Sequence, residues 1–215
     1  MASTLTRPRR VLSLGLITVV AASAVVLPTT TALAGSGPQL ISRDAEGLPA
    51  GGHTPELTPD GRFVAFITEA PLVASDTNRQ GSDWGYDVYR HDRLTGQFLQ
   101  ASVASDGAQA AHGFSIDKVD ISDDGRYLVF DSATTTLVTG DTNGADDIFV
   151  HDALLGTTTR ASVSSLGLET ESGASSSAAV ISGDGTVVAF ASGSSLLAPE
   201  SLSAASLGEQ IFVYR

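Results

Sequence analysis

One ten-residue pattern occurs three times in this chain and constrains its fold more than any other feature. An apolar residue is followed by a short polar stretch with Asp-Gly, and then by an apolar run that ends in phenylalanine. The three copies are Leu57–Phe66, Ile121–Phe130 and Ile181–Phe190. Their final phenylalanines lie 64 and 60 residues apart. A period of this size indicates a repeat architecture, in which each copy is one unit that stacks on its neighbours.

The Asp-Gly step predicts a β-hairpin, because glycine accepts the positive φ that a tight turn between two strands needs. The second run of each copy is almost entirely apolar, as in Tyr127–Phe130. Strict alternation would indicate one wet face, whereas a continuous apolar run indicates that both faces are covered. A four-stranded sheet packed between two neighbouring sheets meets this condition, and such a sheet is a blade of a β-propeller.

The sequence therefore predicts an all-β fold, a β-propeller of four-stranded antiparallel blades with three blades. The predicted blades are residues 52–103, 116–163 and 177–215, within a repeat domain of residues 35–215. The segment of residues 38–44 matches the fourth strand of a repeat, because the glycines that follow recur 60 residues apart as Gly47, Gly107 and Gly167. We expect Gln39–Ser42 to pair beside Gln210–Arg215 and so complete the last blade.

Three motifs follow one another within the repeats, and they resemble a known family. In the second repeat they are Ser122–Phe130, Leu137–Asn143 and Asp147–Asp152, and in the first they are Asp60–Phe66, Leu72–Asn78 and Asp87–Asp92. The third repeat departs from the pattern, since Thr186 replaces the arginine and Tyr214-Arg215 replaces His-Asp. The pattern resembles the TolB-type, WD-like β-propeller repeat of exported bacterial proteins. This resemblance implies a binding or scaffold module, but it specifies no ligand.

The number of blades leaves three interpretations, because a closed propeller usually has four to eight. Two chains could form a six-bladed ring, a homodimer that buries both end faces and removes free strand edges. The sequence could instead be a truncated propeller fragment without independent function. A lone three-blade arc is the third interpretation, although its exposed blade faces would favour association.

Residues 1–34 have the organisation of a secretory signal peptide. Its parts are a positive segment with Arg7, Arg9 and Arg10, the apolar run Val11–Leu27, and the small-x-small cleavage site Ala32–Ala34. Cleavage would leave a chain that begins at Gly35 and has no membrane span, whereas an uncleaved leader would anchor it. The sequence thus predicts a secreted, extracytoplasmic protein of the cell envelope. Its lack of cysteine excludes a disulfide framework.

The charge of the chain limits its partners. The formal net charge is −12, and the leader contains three arginines and no acid, so residues 35–215 carry −15. Such a chain repels nucleic acid and anionic membrane surfaces. We therefore predict no nucleic-acid partner, and the acidity suits a soluble extracellular protein or one that meets cations.

The sharpest polar cluster is the Asp-Thr-Asn loop that follows the second strand in two repeats. It offers Asp141, Asn143 and Asp146 in the second repeat, and Asp76 and Asn78 in the first. Ca²⁺ takes six to eight oxygen ligands in a flexible cage, so a calcium site in these loops is one hypothesis. The alternative is that these side chains cap backbone amides of a tight loop. No other cofactor is predicted.

Two aromatic residues are candidates for a ligand surface. Trp84 lies in a Gly-Ser-Asp-Trp-Gly loop, and Tyr86 begins the predicted strand that follows it. A loop tryptophan suits sugar or protein recognition, or it closes the loop over its own blade.

We predict no catalytic residue. His91-Asp92 and His151-Asp152 suggest acid–base chemistry, but they recur in two repeats, whereas a catalytic site is normally single. No serine lies in a Gly-x-Ser-x-Gly elbow. The sequence therefore predicts a secreted, non-enzymatic propeller module for a protein or carbohydrate ligand. The alternative is a glycan hydrolase or lyase on a propeller scaffold, with Asp pairs at the end of the ring.

Overall fold

The structure of the protein is a computed structural model that describes residues 37–78, 85–110, 116–198 and 208–215. All regular elements in these ranges are β-strands. All described residues except 37–39 belong to one compact unit. Within the same ranges, no helix has the length and hydrophobicity that crossing a membrane requires.

The strands form three antiparallel sheets, which are the blades. Blade one contains β1 (His53–Leu57), β2 (Phe63–Thr68), β3 (Asp87–Asp92) and β4 (Gln97–Gln100). Blade two contains β5 (Val119–Ile121), β6 (Tyr127–Ser132), β7 (Asp147–Asp152) and β8 (Thr157–Arg160). Blade three contains β9 (Ser176–Ile181), β10 (Val188–Ser192) and β11 (Gln210–Tyr214). Neighbours in each sheet follow the order of the chain, so the predicted all-β fold of antiparallel blades is confirmed.

The Asp-Gly hairpins form because side chains close each turn. In blade one, the Thr58 hydroxyl donates to Asp60 Oδ1 at 2.6 Å, and the backbone N–H of Arg62 donates to the same oxygen at 2.9 Å. Gly61 between them has a φ of +71°, a region that favours glycine. The same set of contacts recurs at Ser122 with Asp124, and at Ser182 with Asp184.

The apolar second strands pack against the neighbouring blades, and β6 of the central blade has a blade on each side. One core cluster joins blades one and two, and its members include Ala65, Val88, Leu128 and Phe130. A second cluster joins blades two and three, and its members include Val129, Ile148, Val188 and Phe190. Successive strand residues point to opposite faces, so one continuous apolar strand supplies both joints of a central blade.

An aromatic ring covers the turn glycine of the following blade at both joints. The ring of Phe63 lies against Gly125, and the ring of Tyr127 lies against Gly185. A Cβ atom added at either glycine would lie 2.2 Å from the ring. Glycine is therefore required at these two positions for two reasons. The backbone has a positive φ, and an aromatic ring leaves no room for a side chain.

The segment around residue 40 corrects one expectation. Within one chain, Gln39–Ser42 does not pair with Gln210–Arg215, because β11 pairs only with β10 among the described strands. Ile41 instead packs with Ala50 and Phe66 in an apolar cluster on blade one. Burial of apolar surface explains this position, because the side chains of Ile41 and Ala50 cover the face of β2 that does not contact blade two.

Candidate functional site

The Asp-Thr-Asn loops and the turns after the fourth strands lie together at one end of the blades, which we call the loop end. In blade two, the backbone N–H of Thr142 donates to Glu169 Oε2 at 3.0 Å, and Asn143 Nδ2 donates to the carbonyl of Thr170 at 3.2 Å. The equivalent bonds in blade one run from Thr77 to Gln109 and from Asn78 to Ala110. Each loop is thus tied to the turn that leads to the next blade.

Each loop asparagine donates its amide group to a buried aspartate at the start of a third strand. Asn143 Nδ2 lies 3.0 Å from Asp147 Oδ2, and Asn78 Nδ2 lies 3.1 Å from Asp87 Oδ2. The oxygen of Asn143 accepts the backbone N–H of Ala145 at 3.0 Å. Both polar ends of the Asn143 side chain are therefore used inside the protein.

The two aspartates that begin β3 and β7 are the central acceptors of the loop end. Asp87 is 2% exposed and Asp147 is 0% exposed. Gln100 Nε2 donates to Asp87 at 2.8 Å, and the hydroxyls of Ser102 and Ser162 donate to Asp87 and Asp147. Burial raises the pKa of both carboxyls, and these hydrogen bonds oppose it. Since a buried charge needs partners, the contacts hold these strands to their loops.

The first aspartate of each loop has a different partner in each blade. In blade one, the hydroxyl of Tyr89 donates to Asp76. Phe149 occupies the position of Tyr89 in blade two and has no hydroxyl. There Arg160 supplies the positive group instead, with Nη1 3.3 Å from Asp141 Oδ1.

Arg160 sits among three acids. Its Nη1 lies 3.3 Å from Asp141, 3.2 Å from Asp147 and 3.0 Å from Glu169. Desolvation and then the nearby charge of Asp147 raise the pKa of Asp141 to about 6, and Arg160 opposes this shift. Acids with raised pKa values also occur in catalytic sites. Here, however, the side chains of Asp141 and Asp147 are 2% and 0% exposed, so this is a buried ionic network.

Four of the five side chains of the calcium hypothesis have partners within the protein. The partners are Arg160 for Asp141, Asp147 and Thr170 for Asn143, Tyr89 for Asp76, and Asp87 for Asn78. Asp146 contacts Ser175 and Ser176 through its backbone N–H and carbonyl. In the part of the chain that the structure describes, no group of three or more His, Cys, Asp or Glu is placed to hold a metal ion. These contacts favour the capping interpretation of the loops.

We expect the thermal unfolding midpoint to be the same in excess CaCl₂ and in excess chelator, because the side chains of Asp141, Asn143, Asp76 and Asn78 already have partners inside the protein. Calorimetry would detect a site readily, since a ligand present at 100 times its Kd adds about 2.7 kcal/mol to the stability. A midpoint that rises with Ca²⁺ and falls again with chelator would restore the calcium hypothesis.

A pocket of about 260 Å³ opens at the loop end of blade one, beside the starts of β1 and β3. His53, Glu69 and Tyr86 are among its lining residues. The rings of His53 and Tyr86 meet edge to face, with centroids 5.2 Å apart. The carboxylate of Glu69 beside the Tyr86 hydroxyl raises the pKa of Tyr86. Trp84, the other candidate aromatic residue, lies outside the described residues.

The His-Asp pairs do not form acid–base pairs, since consecutive strand residues point to opposite faces. His151 is buried and its Nδ1 lies 2.9 Å from the Thr158 hydroxyl, and desolvation lowers the pKa of His151 to about 4. Asp152 faces Arg126 at 2.7 Å, and this hydrogen bond lowers the pKa of Asp152 to about 2. His91 packs against a phenylalanine ring. Both pairs therefore have structural partners.

Comparison with known proteins gives likenesses in fold alone. No protein-family model and no curated protein matches the chain. The solved structure of TolB from Acinetobacter baumannii matches with 16% identity and a TM-score of 0.43, over 76% of this chain and 29% of that one. A protein described as TolB from Agrobacterium tumefaciens matches with 18% identity and a TM-score of 0.44, over 82% and 48%. The chain thus spans less than half the length of either TolB structure.

A third likeness is to the tricorn protease, with 16% identity and a TM-score of 0.42, over 69% of this chain and 11% of that one. The proposals that follow rest on the contacts of this chain.

Sequence reasoning missed the roles of Arg160, Glu169 and Glu69. The 60-residue offset held part of the signal, because it aligns Arg160 with Gln100 and Glu169 with Gln109. An uncharged pair in one repeat thus corresponds to an ion pair in the next. Glu69 has no such signal, since only the fold brings it beside Tyr86.

Proposed function

We propose that this chain is an extracytoplasmic β-propeller module that binds a protein ligand at its loop end and catalyses no reaction. The pocket formed by His53, Glu69 and Tyr86 carries the proposal, because it combines aromatic edges with a carboxylate at an open surface. Loops at the end of a rigid scaffold are the usual place for binding residues.

The chemistry of the pocket favours a cationic group. Glu69 supplies negative charge, and the ring of Tyr86 can attract a cation over its face. Residues 35–215 carry −15, which draws cationic partners towards the protein. The volume of about 260 Å³ is below the roughly 300–1,000 Å³ of pockets that hold drug-sized ligands. A lysine or arginine side chain of a protein partner suits this space better than an extended ligand does.

The extracytoplasmic location is supported by the leader. Three arginines, an apolar run and a small-x-small site in residues 1–34 are the parts of a cleavable signal. Because the chain has no cysteine, its fold outside the cytoplasm must be stabilised by packing and not by disulfides. The two inter-blade cores provide that packing.

The enzymatic alternative, a glycan hydrolase or lyase, needs two acids that a substrate can reach. Asp141 and Asp147 share Arg160, and both side chains are buried against it. This arrangement supports a structural role for the pair.

Replacing Tyr86 with alanine or Glu69 with glutamine is expected to weaken binding of a basic peptide about tenfold or more, since each removes a contact of about 1.5–3 kcal/mol to a charged group. The full chain would be tested against immobilised peptides that are rich in lysine and arginine, with acidic and neutral peptides beside them. Binding constants from surface plasmon resonance provide the measurement.

Leu154→Ala is a matched control, because Leu154 is 71% exposed in the turn after β7, at the opposite end of the blades. It should leave peptide binding unchanged. Equal binding of basic and acidic peptides, or no effect of either pocket substitution, would contradict the proposal. Binding to an oligosaccharide array that Tyr86→Ala abolishes would favour the carbohydrate ligand instead.

A further inference from the structure

We propose that the outer side of blade three is the docking surface for a second copy of this chain, which covers it with residues 40–50 and blade one. The outer side comprises the open edge of β11 and the sheet face that carries Val180, Ile211 and Val213. This proposal goes beyond the ligand at the loop end and does not depend on it.

The face of blade three is more exposed than the same face of the other blades. Ile211 is 76% exposed and Val213 is 58% exposed, although both are apolar. Val88 in β3 and Ile148 in β7 occupy the position of Ile211, and both are 0% exposed. They belong to the cores that join their blades to the next blade. An exposed apolar row of this kind marks an interaction surface.

The edge of blade three is also open. In blade one β3 pairs with both β2 and β4, and in blade two β7 pairs with both β6 and β8. Among the described strands, β11 pairs with β10 alone. An unpaired edge with apolar residues is a template for another strand.

Residues 40–50 are built like the turns that follow β4 and β8. The turn glycines Gly47, Gly107 and Gly167 have φ values of +80°, +85° and +75°. The turns also share an isolated bridge, which joins Arg43 to Pro49, Val103 to Gln109, and Val163 to Glu169. The turn after β4 leads onto blade two, where Ala110 enters the core. Ala50 lies on blade one in the same way.

Blade one thus carries a turn of the kind that follows a fourth strand, and blade three carries a third strand with an open edge. In the complete blades a serine after the fourth strand donates to the aspartate that begins the third, as Ser102 does to Asp87 and Ser162 does to Asp147. The matching positions are Ser42 and Gln210. A glutamine amide both donates to and accepts from a hydroxyl, so Ser42 of one copy can bond to Gln210 of the second.

The glycines of the Asp-Gly hairpins give a second match between blade three and blade one. Phe63 covers Gly125 and Tyr127 covers Gly185, whereas Gly61 has only an arginine side-chain nitrogen nearby, 3.5 Å from an added Cβ. Val187 holds the position of the covering residue in blade three. In the docked pair Val187 of the second copy covers Gly61.

Two such contacts close a ring of two copies. The contact is head to tail, so it either closes or extends indefinitely. Two copies of three blades give six, within the usual range of four to eight. Among the described residues no apolar cluster joins blade three to blade one of the same chain.

The test is the mass of the full chain, expressed with its own leader and measured by light scattering over a range of concentrations. We expect a mass of two copies. Val213→Lys and Ile211→Lys should convert the protein to one copy, since each places a charge at the centre of the contact. Leu154→Lys, at an equally exposed leucine outside the contact, should remain a pair.

A disulfide cross-link between two copies provides a second test, which does not depend on whether the lysine variants fold. The chain has no cysteine, so Ser42→Cys and Gln210→Cys introduce the only thiols. Mixing the two single variants under oxidation should give one covalent band of two chains on a non-reducing gel. A single-copy mass at every concentration, or no covalent pair, overturns the proposal and favours the fragment interpretation, in which further blades cover this face.

Discussion

Replacing Arg160 with methionine is expected to lower the free energy of unfolding by about 3–5 kcal/mol, because it leaves a buried acid without its partner. The guanidinium is the positive group beside Asp141 and Asp147, and the arginine side chain is only 8% exposed. Urea unfolding of the variant and the wild type, followed by circular dichroism, provides the measurement. An effect below about 1 kcal/mol, which is the median range of surface ion pairs, would contradict the role of Arg160.

Arg126→Met is the matched control, since Arg126 also pairs with an aspartate but its side chain is 33% exposed. A surface pair of this kind is expected to contribute far less than the buried one. A rescue variant follows from blade one, where the same positions hold Tyr89, Gln100 and Gln109. The triple substitution Phe149→Tyr, Arg160→Gln and Glu169→Gln reproduces that uncharged set, and it should regain most of the lost stability.

The loss in free energy of unfolding caused by Arg160→Met should depend on pH. The pKa of Asp141 is raised from 3.8 to about 6 in the folded protein, and Arg160 is one of the groups that hold it down. A carboxyl with a raised pKa destabilises the fold above that pKa, and this effect disappears below its unfolded value. Without Arg160 the pKa rises further. The difference between the variant and the wild type should therefore be largest above neutral pH and shrink as the pH falls towards 4.

Replacing Gly125 with alanine is the second large effect. A positive φ strains a non-glycine residue by about 1–2 kcal/mol, and overpacking a core adds about 1–3 kcal/mol. Gly125 has a φ of +73°, and an added Cβ would lie 2.2 Å from the ring of Phe63. We therefore expect a loss of about 2–5 kcal/mol in total, measured by chemical unfolding.

Gly61→Ala separates the two causes. Gly61 has nearly the same φ of +71°, but an added Cβ there would meet only Arg93 Nη1, at 3.5 Å. It should lose only the backbone part, about 1–2 kcal/mol. Equal losses at both glycines would show that the ring of Phe63 moves aside freely and that this joint is not closely packed.

Much of the fold could be predicted from local chemistry. The Asp-Gly turns and the continuous apolar strands each depend on residues that are neighbours in the chain, such as Asp124 with Gly125. The period then implied stacked blades, and the cores between them agree with it. The position of Ile41 could not be predicted in this way, because it depends on which of two apolar faces, β11 or β2, is within reach inside one chain.

The role of the loops was harder to predict because their partners come from other strands. Asp141 and Asp76 occupy the same place in their repeats, yet their partners, Arg160 and Tyr89, lie on different strands of the blade. Oxygen-rich loops suggest a metal site. Only the structure shows that a guanidinium or a hydroxyl lies beside each loop aspartate and takes the place of a metal ion. The sequence named Tyr86 as a candidate, but its neighbour Glu69 depends on the fold.

The different partners of Asp76 and Asp141 also bear on how such a gene can change. Repeats that match in sequence invite unequal recombination, which joins the first part of one repeat to the last part of another. A hybrid blade with Phe149 from blade two and Gln100 from blade one would lack both the hydroxyl and the guanidinium for its loop aspartate. The reciprocal hybrid, with Tyr89 and Arg160, would hold both. The two repeats can therefore no longer replace each other, although their strands pair in the same order.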